Sequence, residues 1–385
     1  MAAEAGRPGL SLDLRAALVI GLATAIADAA CKGVGVGSDA VAYGAVIAAL
    51  VVRPDFSRWP LKIYPVLLIL FGVCLAIGVS LGLALSNVPE LFSFGLVAAL
   101  MQLISLLLPS QLKLLSGVVA VAGVLPLLGT PSWEGWRDQM LAVSIGLAIG
   151  TLVQLVFTPE SASRAAPSEP EPRGGGAPTP PEPSLAERVA AGLRSPFFWR
   201  KLVFASLAYT IGVGLGAVTP KYLYFGVVLL LNDSIGDTLA RVRDRMVGVS
   251  LGILMPLLVF NTMGISEVAI GLVMGGTAAL MTALKQQRYL RTALISSGVA
   301  FIGYGPLVAW YIPNRWIDYL MGCGLALAVG VLLFPNSALR RFNQLSADGS
   351  NPLVLAELEQ LLPAATEEAR WLGLPKPQLP SGLHR

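Results

Sequence analysis

The chain has 385 residues, 55% hydrophobic and 13% charged, with a net charge of only +4. Together with a strongly positive mean hydropathy, this excludes an ordinary soluble domain and defines a membrane composition. Three cysteines without CxxC spacing, a single histidine (His384) and no GKS or GKT pattern leave no basis for a disulfide framework, metal site, cofactor, His-based catalysis or P-loop ATP hydrolysis. We therefore expect neither an enzyme nor a nucleic-acid partner.

Leu14 to Ala30 opens the chain as a span if Arg15 and Asp28 sit at opposite interfaces. Its apolar stretch leads into Asp-Ala-Ala-Cys and resembles a secretory signal. Asp28, however, stands where a lipoprotein cleavage motif wants an apolar residue, so a retained helix is expected. Ala40 to Val52 would cover only about 20 Å as a helix, too short to cross comfortably. After the basic stretch Arg53 to Lys62 come uncharged runs Ile63 to Pro89, Leu91 to Leu112, Leu114 to Trp133 and Gln139 to Pro159, each of spanning length.

Pro159 to Pro183 holds eight prolines, four glutamates and three consecutive glycines but no aromatic residue, and cannot bury enough apolar surface to offset the entropy of ordering. It reads as a disordered linker. Ser184-Leu185-Ala186-Glu187 then has capping-box spacing and should start a short interfacial helix. Beyond it, Leu202 to Pro220, a short segment Tyr222 to Leu231, Met246 to Ser266, Val268 to Leu284, Thr292 to Asn314 and Tyr319 to Leu339 repeat the first plan.

WRDQMLAVSIGLAIG at Trp136 to Gly150 matches WIDYLMGCGLALAVG at Trp316 to Gly330, placing Trp136, Asp138 and Gly150 at a constant offset of 180 from Trp316, Asp318 and Gly330. The domain reading is a six-helix module at 1–159, a linker at 160–196, a second module at 197–341 and a cytoplasmic tail at 342–385. In the tail, Asn351 to Leu362 forms an apolar helix stopped by Pro363. Segments after even-numbered spans carry twelve Lys and Arg, against four after odd-numbered spans, which puts both termini in the cytoplasm. The expected fold is all-α and polytopic: two parallel six-helix repeats with about 12 crossings in a cell membrane.

Paired short segments are a sequence pointer to a transporter binding site, because a helix that ends inside protein leaves backbone groups for substrate. Tyr43, Tyr222, Tyr224, Asn232 and Asp233 lie in or beside them. Arg241 and Arg245 would share one helix face and could gather organic anions; the competing reading makes them headgroup-bound topology markers. Asp138 and Asp318 start the last span of each module, as helix caps or as proton-release groups, and Asp28 is a further proton-coupling candidate.

The segment YLYFGVVLLLNDSIGDTLARVRDRMVGVSLG resembles the fusaric-acid-resistance family of membrane transporters, related to aromatic acid exporters. Gly236, Thr238, Arg241, Arg245, Gly248 and Gly252 match its pattern; Arg58 and Lys62 keep the arginine spacing in the first module, without the following glycine. The resemblance implies a proton-driven exporter of aromatic or other organic carboxylates. An organic-anion channel similar to the aluminium-activated malate transporters, or a non-transporting scaffold, are the alternatives. Expected partners are the lipid bilayer and a small organic anion. Fused halves make a monomer sufficient and permit a homodimer or an accessory exporter subunit.

Overall fold

The computed structural model describes residues 12–56, 63–109, 112, 115–158, 184–302, 308–333, 335–347 and 352–379. The expected disordered linker lies outside these, as do Arg58, Lys62, Lys113 and His384. All regular structure among the described residues is helical. In chain order the helices are α1 (Leu12–Val34), α2 (Ser38–Val51), α3 (Ile63–Ala84), α4 (Glu90–Ser105), α5 (Ser116–Ala122) and α6 (Trp133–Phe157). Beyond the linker come α7 (Leu185–Arg194), α8 (Pro196–Gly214), α9 (Lys221–Leu230), α10 (Ile235–Gly252), α11 (Leu254–Met263) and α12 (Glu267–Ala283). α13 (Leu290–Ile302), α14 (Val308–Leu327), α15 (Ala338–Ala347) and α16 (Pro352–Trp371) complete the chain.

Among the described residues, five stretches are long and apolar enough to cross a membrane: 13–34, 63–84, 133–157, 235–263 and 316–333. Large apolar side chains on them face outward, Ile69 67% exposed, Val156 68% and Leu332 76%. Such surface is stable against lipid and not against water.

The chain packs as two units. The first comprises residues 1–83, 129–182 and 247–314, and the second 84–128, 183–246 and 315–385, so each takes helices from both sides of the linker. In the first unit, α1 crosses α12 where side chains nearly vanish: a Cβ on Gly21 would lie 2.7 Å from the Gly271 carbonyl, and one on Gly275 2.9 Å from that of Ala17. α2 meets α6 in the same way, with a Cβ on Gly146 falling 2.3 Å from the Gly44 carbonyl. Lipid is as apolar as leucine, so close backbone approach and dispersion are what hold such helices together. Gly248 and Gly252 bring α10 against Thr292 and Ala293 of α13. Pro256 has no N–H to offer the Gly252 carbonyl, and the Ser297 hydroxyl of α13 donates to that carbonyl instead. The hydroxyl is held in turn 2.9 Å from Thr277 Oγ1.

In the second unit, α9 lies on α14 through Gly226 and Gly322, a Cβ on Gly226 falling 2.8 Å from the Gly322 backbone. Phe94 of α4 stacks on Tyr209 of α8 with centroids 4.9 Å apart and meets Tyr224 edge-on at 5.3 Å. α15 and α16 form a hairpin around Phe342, Leu358 and Ala365.

Two local expectations change. The run Leu114 to Trp133 is not one span: α5 has seven residues and gives way to a 3-10 turn at Leu125–Leu128, where Pro126 cannot donate a helical hydrogen bond. The tail helix does not stop at Pro363 but runs through it to Trp371. Pro363 is exposed, so the carbonyl it strands one turn back can be satisfied by water. Leu358 is buried within the hairpin. The capping box at Ser184 and Glu187 is present, with Ser184 N–H donating to Glu187 Oε2 at 2.7 Å.

Candidate functional site

Both short second helices form. α2 has 14 residues and α9 has 10, so they rise about 21 Å and 15 Å against a hydrocarbon core of about 30 Å. Each enters through the same turn. After α1, Gly35 adopts φ +82° while Val36 N–H reaches back to the Cys31 carbonyl at 2.9 Å; after α8, Gly216 adopts φ +71° while Ala217 N–H reaches the Gly212 carbonyl at 2.9 Å. These are Schellman caps, which need the left-handed backbone that glycine adopts without strain.

An aspartate from the last span fastens each turn. Asp138 of α6 accepts from Gly37 N–H at 3.0 Å. Asp318 of α14, only 1% exposed, accepts from Val218 N–H at 3.2 Å, from Thr219 N–H at 2.6 Å and from the Thr219 hydroxyl. The carboxylates thus occupy the amide donors that lead into α2 and α9, stabilised by charge-assisted bonds and the positive helix end.

Each short helix also ends alike, in an extended residue followed by a side-chain acceptor from elsewhere. Val52 closes α2, and Arg53 N–H points at Gln154 Oε1 at 3.4 Å; Leu231 closes α9, and Asn232 N–H donates to Thr238 Oγ1 at 3.1 Å.

Within the second unit, three chemically suited side chains converge. Tyr222 of α9 stacks on Tyr319 of α14 with centroids 5.3 Å apart, and the Arg245 guanidinium of α10 lies 5.7 Å from the Tyr319 ring centre, its Nη2 3.5 Å from the hydroxyl. This is a cation beside one aromatic ring that is itself stacked on a second, chemistry suited to a planar carboxylate: a guanidinium for the anionic head and ring surface for an aromatic body. Arg241, one turn earlier, is exposed and differently engaged. It donates to the Leu229 carbonyl at 3.3 Å, and Asn232, its amide oxygen turned toward the guanidinium, accepts from Nε at 2.8 Å. It thereby holds the end of α9 in place.

The other candidates fall elsewhere. Tyr224 is fully buried and its hydroxyl donates to the Ala120 carbonyl at 2.8 Å, which makes it a packing residue of the Phe94 cluster. Asp233 is exposed, and its backbone carbonyl accepts from Asn336 at 3.0 Å. Tyr43 packs in the first unit against a small cluster containing Cys31, Val41 and Ala142. Asp28, also in the first unit, is fully buried, and Lys32 Nζ lies 2.7 Å from its carboxylate and 3.1 Å from Glu267. Sequence reasoning missed Tyr319, although it follows Asp318 directly in the repeated Trp-x-Asp element; it is Gln139 in the first copy. No cluster of three or more metal-ligating side chains occurs among the described residues.

The described residues are all helical, with several apolar spans and a cation-aromatic cluster on them, as in a membrane protein. Residues 204–329, which include α9, α10 and all of α14, match the family model described as fusaric acid resistance protein-like. The match covers about a third of the chain, suggests a membrane transporter type of function, and agrees with the resemblance read at Tyr222 to Gly252. No curated protein and no solved structure matches the chain significantly.

Proposed function

We propose that the chain is a secondary exporter of aromatic or other organic carboxylates, driven by the proton gradient across a cell membrane. The observation that carries this reading is the Tyr222, Tyr319 and Arg245 cluster inside the matched domain. Its pairing of ring faces with a half-buried guanidinium selects an anion with an aromatic body over a strongly hydrated dicarboxylate. Asp28 supports proton coupling: protonating it would remove the pull on Lys32 and leave that ammonium to Glu267, a rearrangement available to a coupled carrier.

The architecture that goes with this function is two parallel six-helix repeats of about 12 crossings, with both termini cytoplasmic. The matched turns at Gly35 and Gly216, each fastened by the aspartate of the last span, support the repeat. In this arrangement the modules at 1–159 and 197–341 exchange helices in packing, and a homodimer or accessory subunit would be added outside them.

The test is flux of labelled 4-hydroxybenzoate, with malate in parallel, in proteoliposomes with and without an imposed pH gradient. Accumulation of hydroxybenzoate that requires the gradient is the expected result. Gradient-independent equilibration, above all of malate with a measurable current, would overturn the exporter in favour of a channel. No flux of either anion would refute the substrate class.

A further inference from the structure

The first unit contains a cavity of about 240 Å³ where the end of α2 meets the start of α13. Its walls are aliphatic, formed by Ala49, Leu50, Val52, Leu290 and Leu294, and its rim carries Arg53, Asp55 and Arg291. The walls are buried: Ala49, Val52 and Leu294 are 0%, 3% and 1% exposed. Arg53 Nε lies 3.5 Å from Asp55, and Arg291 brings a second guanidinium to the rim. The α13 N-terminus adds positive potential; the α2 C-terminus subtracts a comparable amount.

We propose that this cavity is a second anion-binding station, taking a small apolar monocarboxylate whose head meets Arg53 and Arg291 and whose body lies against Leu50, Leu290 and Leu294. The chemistry is an anionic head on an apolar body. The volume lies below the roughly 300 Å³ at which ligand pockets for drug-sized molecules begin, which suits a single ring and not a phospholipid with its chains. The inference rests on the proposed function for the choice of an aromatic carboxylate. It adds a loading site at the arginine-rich cytoplasmic side, distinct from the Tyr222, Tyr319 and Arg245 cluster of the second unit.

The probe is 4-azidobenzoate, photolysed with the full-length chain in nanodiscs of neutral lipid, with the labelled peptide located by mass spectrometry. The expected result is labelling within 49–55 or 290–294 that benzoate displaces. Arg291→Glu, at an exposed position, and Arg53→Gln should each weaken that displacement about tenfold or more, the order expected for losing a charge-assisted hydrogen bond. Labelling elsewhere, or labelling there that is unchanged in both variants, overturns the site. Displacement by phosphatidylglycerol in the nanodisc but not by benzoate assigns the cavity to a lipid headgroup and also overturns it. Arg245→Gln separates this inference from the transport reading, because it should lower flux while leaving the label at 49–55 or 290–294 intact. A chain that binds here but shows no gradient-driven flux would fail the exporter reading alone.

Discussion

Replacing Asp318 decides whether the repeated aspartates hold turns or carry protons. In Asp318→Ala, two backbone N–H groups and one hydroxyl lose their common acceptor at a site 1% exposed. Each buried donor left unpaired costs about 1–3 kcal/mol, and the Thr219 hydroxyl can rotate to another acceptor, so we expect a loss of about 3–5 kcal/mol. Asp138→Ala removes the acceptor of a single backbone N–H and of the exposed Arg137 guanidinium, which water can satisfy, from a side chain 17% exposed, and should cost about 1 kcal/mol. Thermal unfolding followed by tryptophan fluorescence in detergent reads the order: Asp318→Ala far below wild type, Asp138→Ala slightly below, and Asp318→Asn between. Asp318→Asn keeps one acceptor oxygen and cannot release a proton, so under the capping role it retains gradient-driven flux. An Asp318→Ala protein as stable as wild type, or a stably folded Asp318→Asn protein that has lost only its dependence on the pH gradient, would refute the reasoning.

Three other outcomes follow from the same contacts. Arg245→Gln and Tyr319→Leu should each reduce hydroxybenzoate flux about tenfold or more while the protein still inserts and purifies as a folded species, because each removes one element of the cation-aromatic cluster; unchanged uptake kinetics would remove that cluster from the substrate path. Gly236→Val should dislodge the tail hairpin, since a Cβ there falls 2.0 Å from the Ala364 carbonyl; overpacking costs about 1–3 kcal/mol, and limited proteolysis should cut between 347 and 371 faster than in wild type. The Glu187 carboxyl is held below the usual carboxylate range by the Ser184 backbone N–H, then by the Ser184 hydroxyl. Its depressed value means that the capping box is fully formed above the ordinary glutamate pKa of about 4.3 and is lost as pH falls through the folded value. The protection of α7 amides, relative to their intrinsic exchange rates, should therefore fall as pH drops below the ordinary glutamate value of about 4.3, and in Glu187→Gln it should not change with pH.

Much of the site could be read in the chain because its signals are local. The short second helices follow from how far apolar residues run before a turn or a charge, and Arg241, Arg245 and Tyr222 are marked by residue type. Which of these act together could not be read, because span helices are apolar on nearly every side and their pattern names no preferred face. Arg241 and Arg245 share a helix and a spacing, yet one ties the end of α9 through Asn232 and the other meets Tyr319, 74 residues away. Tyr224 and Tyr222 are two residues apart, and only the packing of Phe94 and Ala120 makes one of them core.

The sequence by itself determined that this is a helical membrane protein, where its uncharged runs begin and end, and that its last spans repeat. Those are consequences of composition, charge and turn chemistry, which act over a few residues. Only the tertiary structure decided that Asp318 reaches a turn about 100 residues earlier, that Ser297 satisfies the carbonyl freed by Pro256, and that the tail helix passes Pro363 and folds back on α15. The physical reason is the same in each case: a buried polar group must find a partner, and which group is within reach depends on which helices the glycines allow to approach.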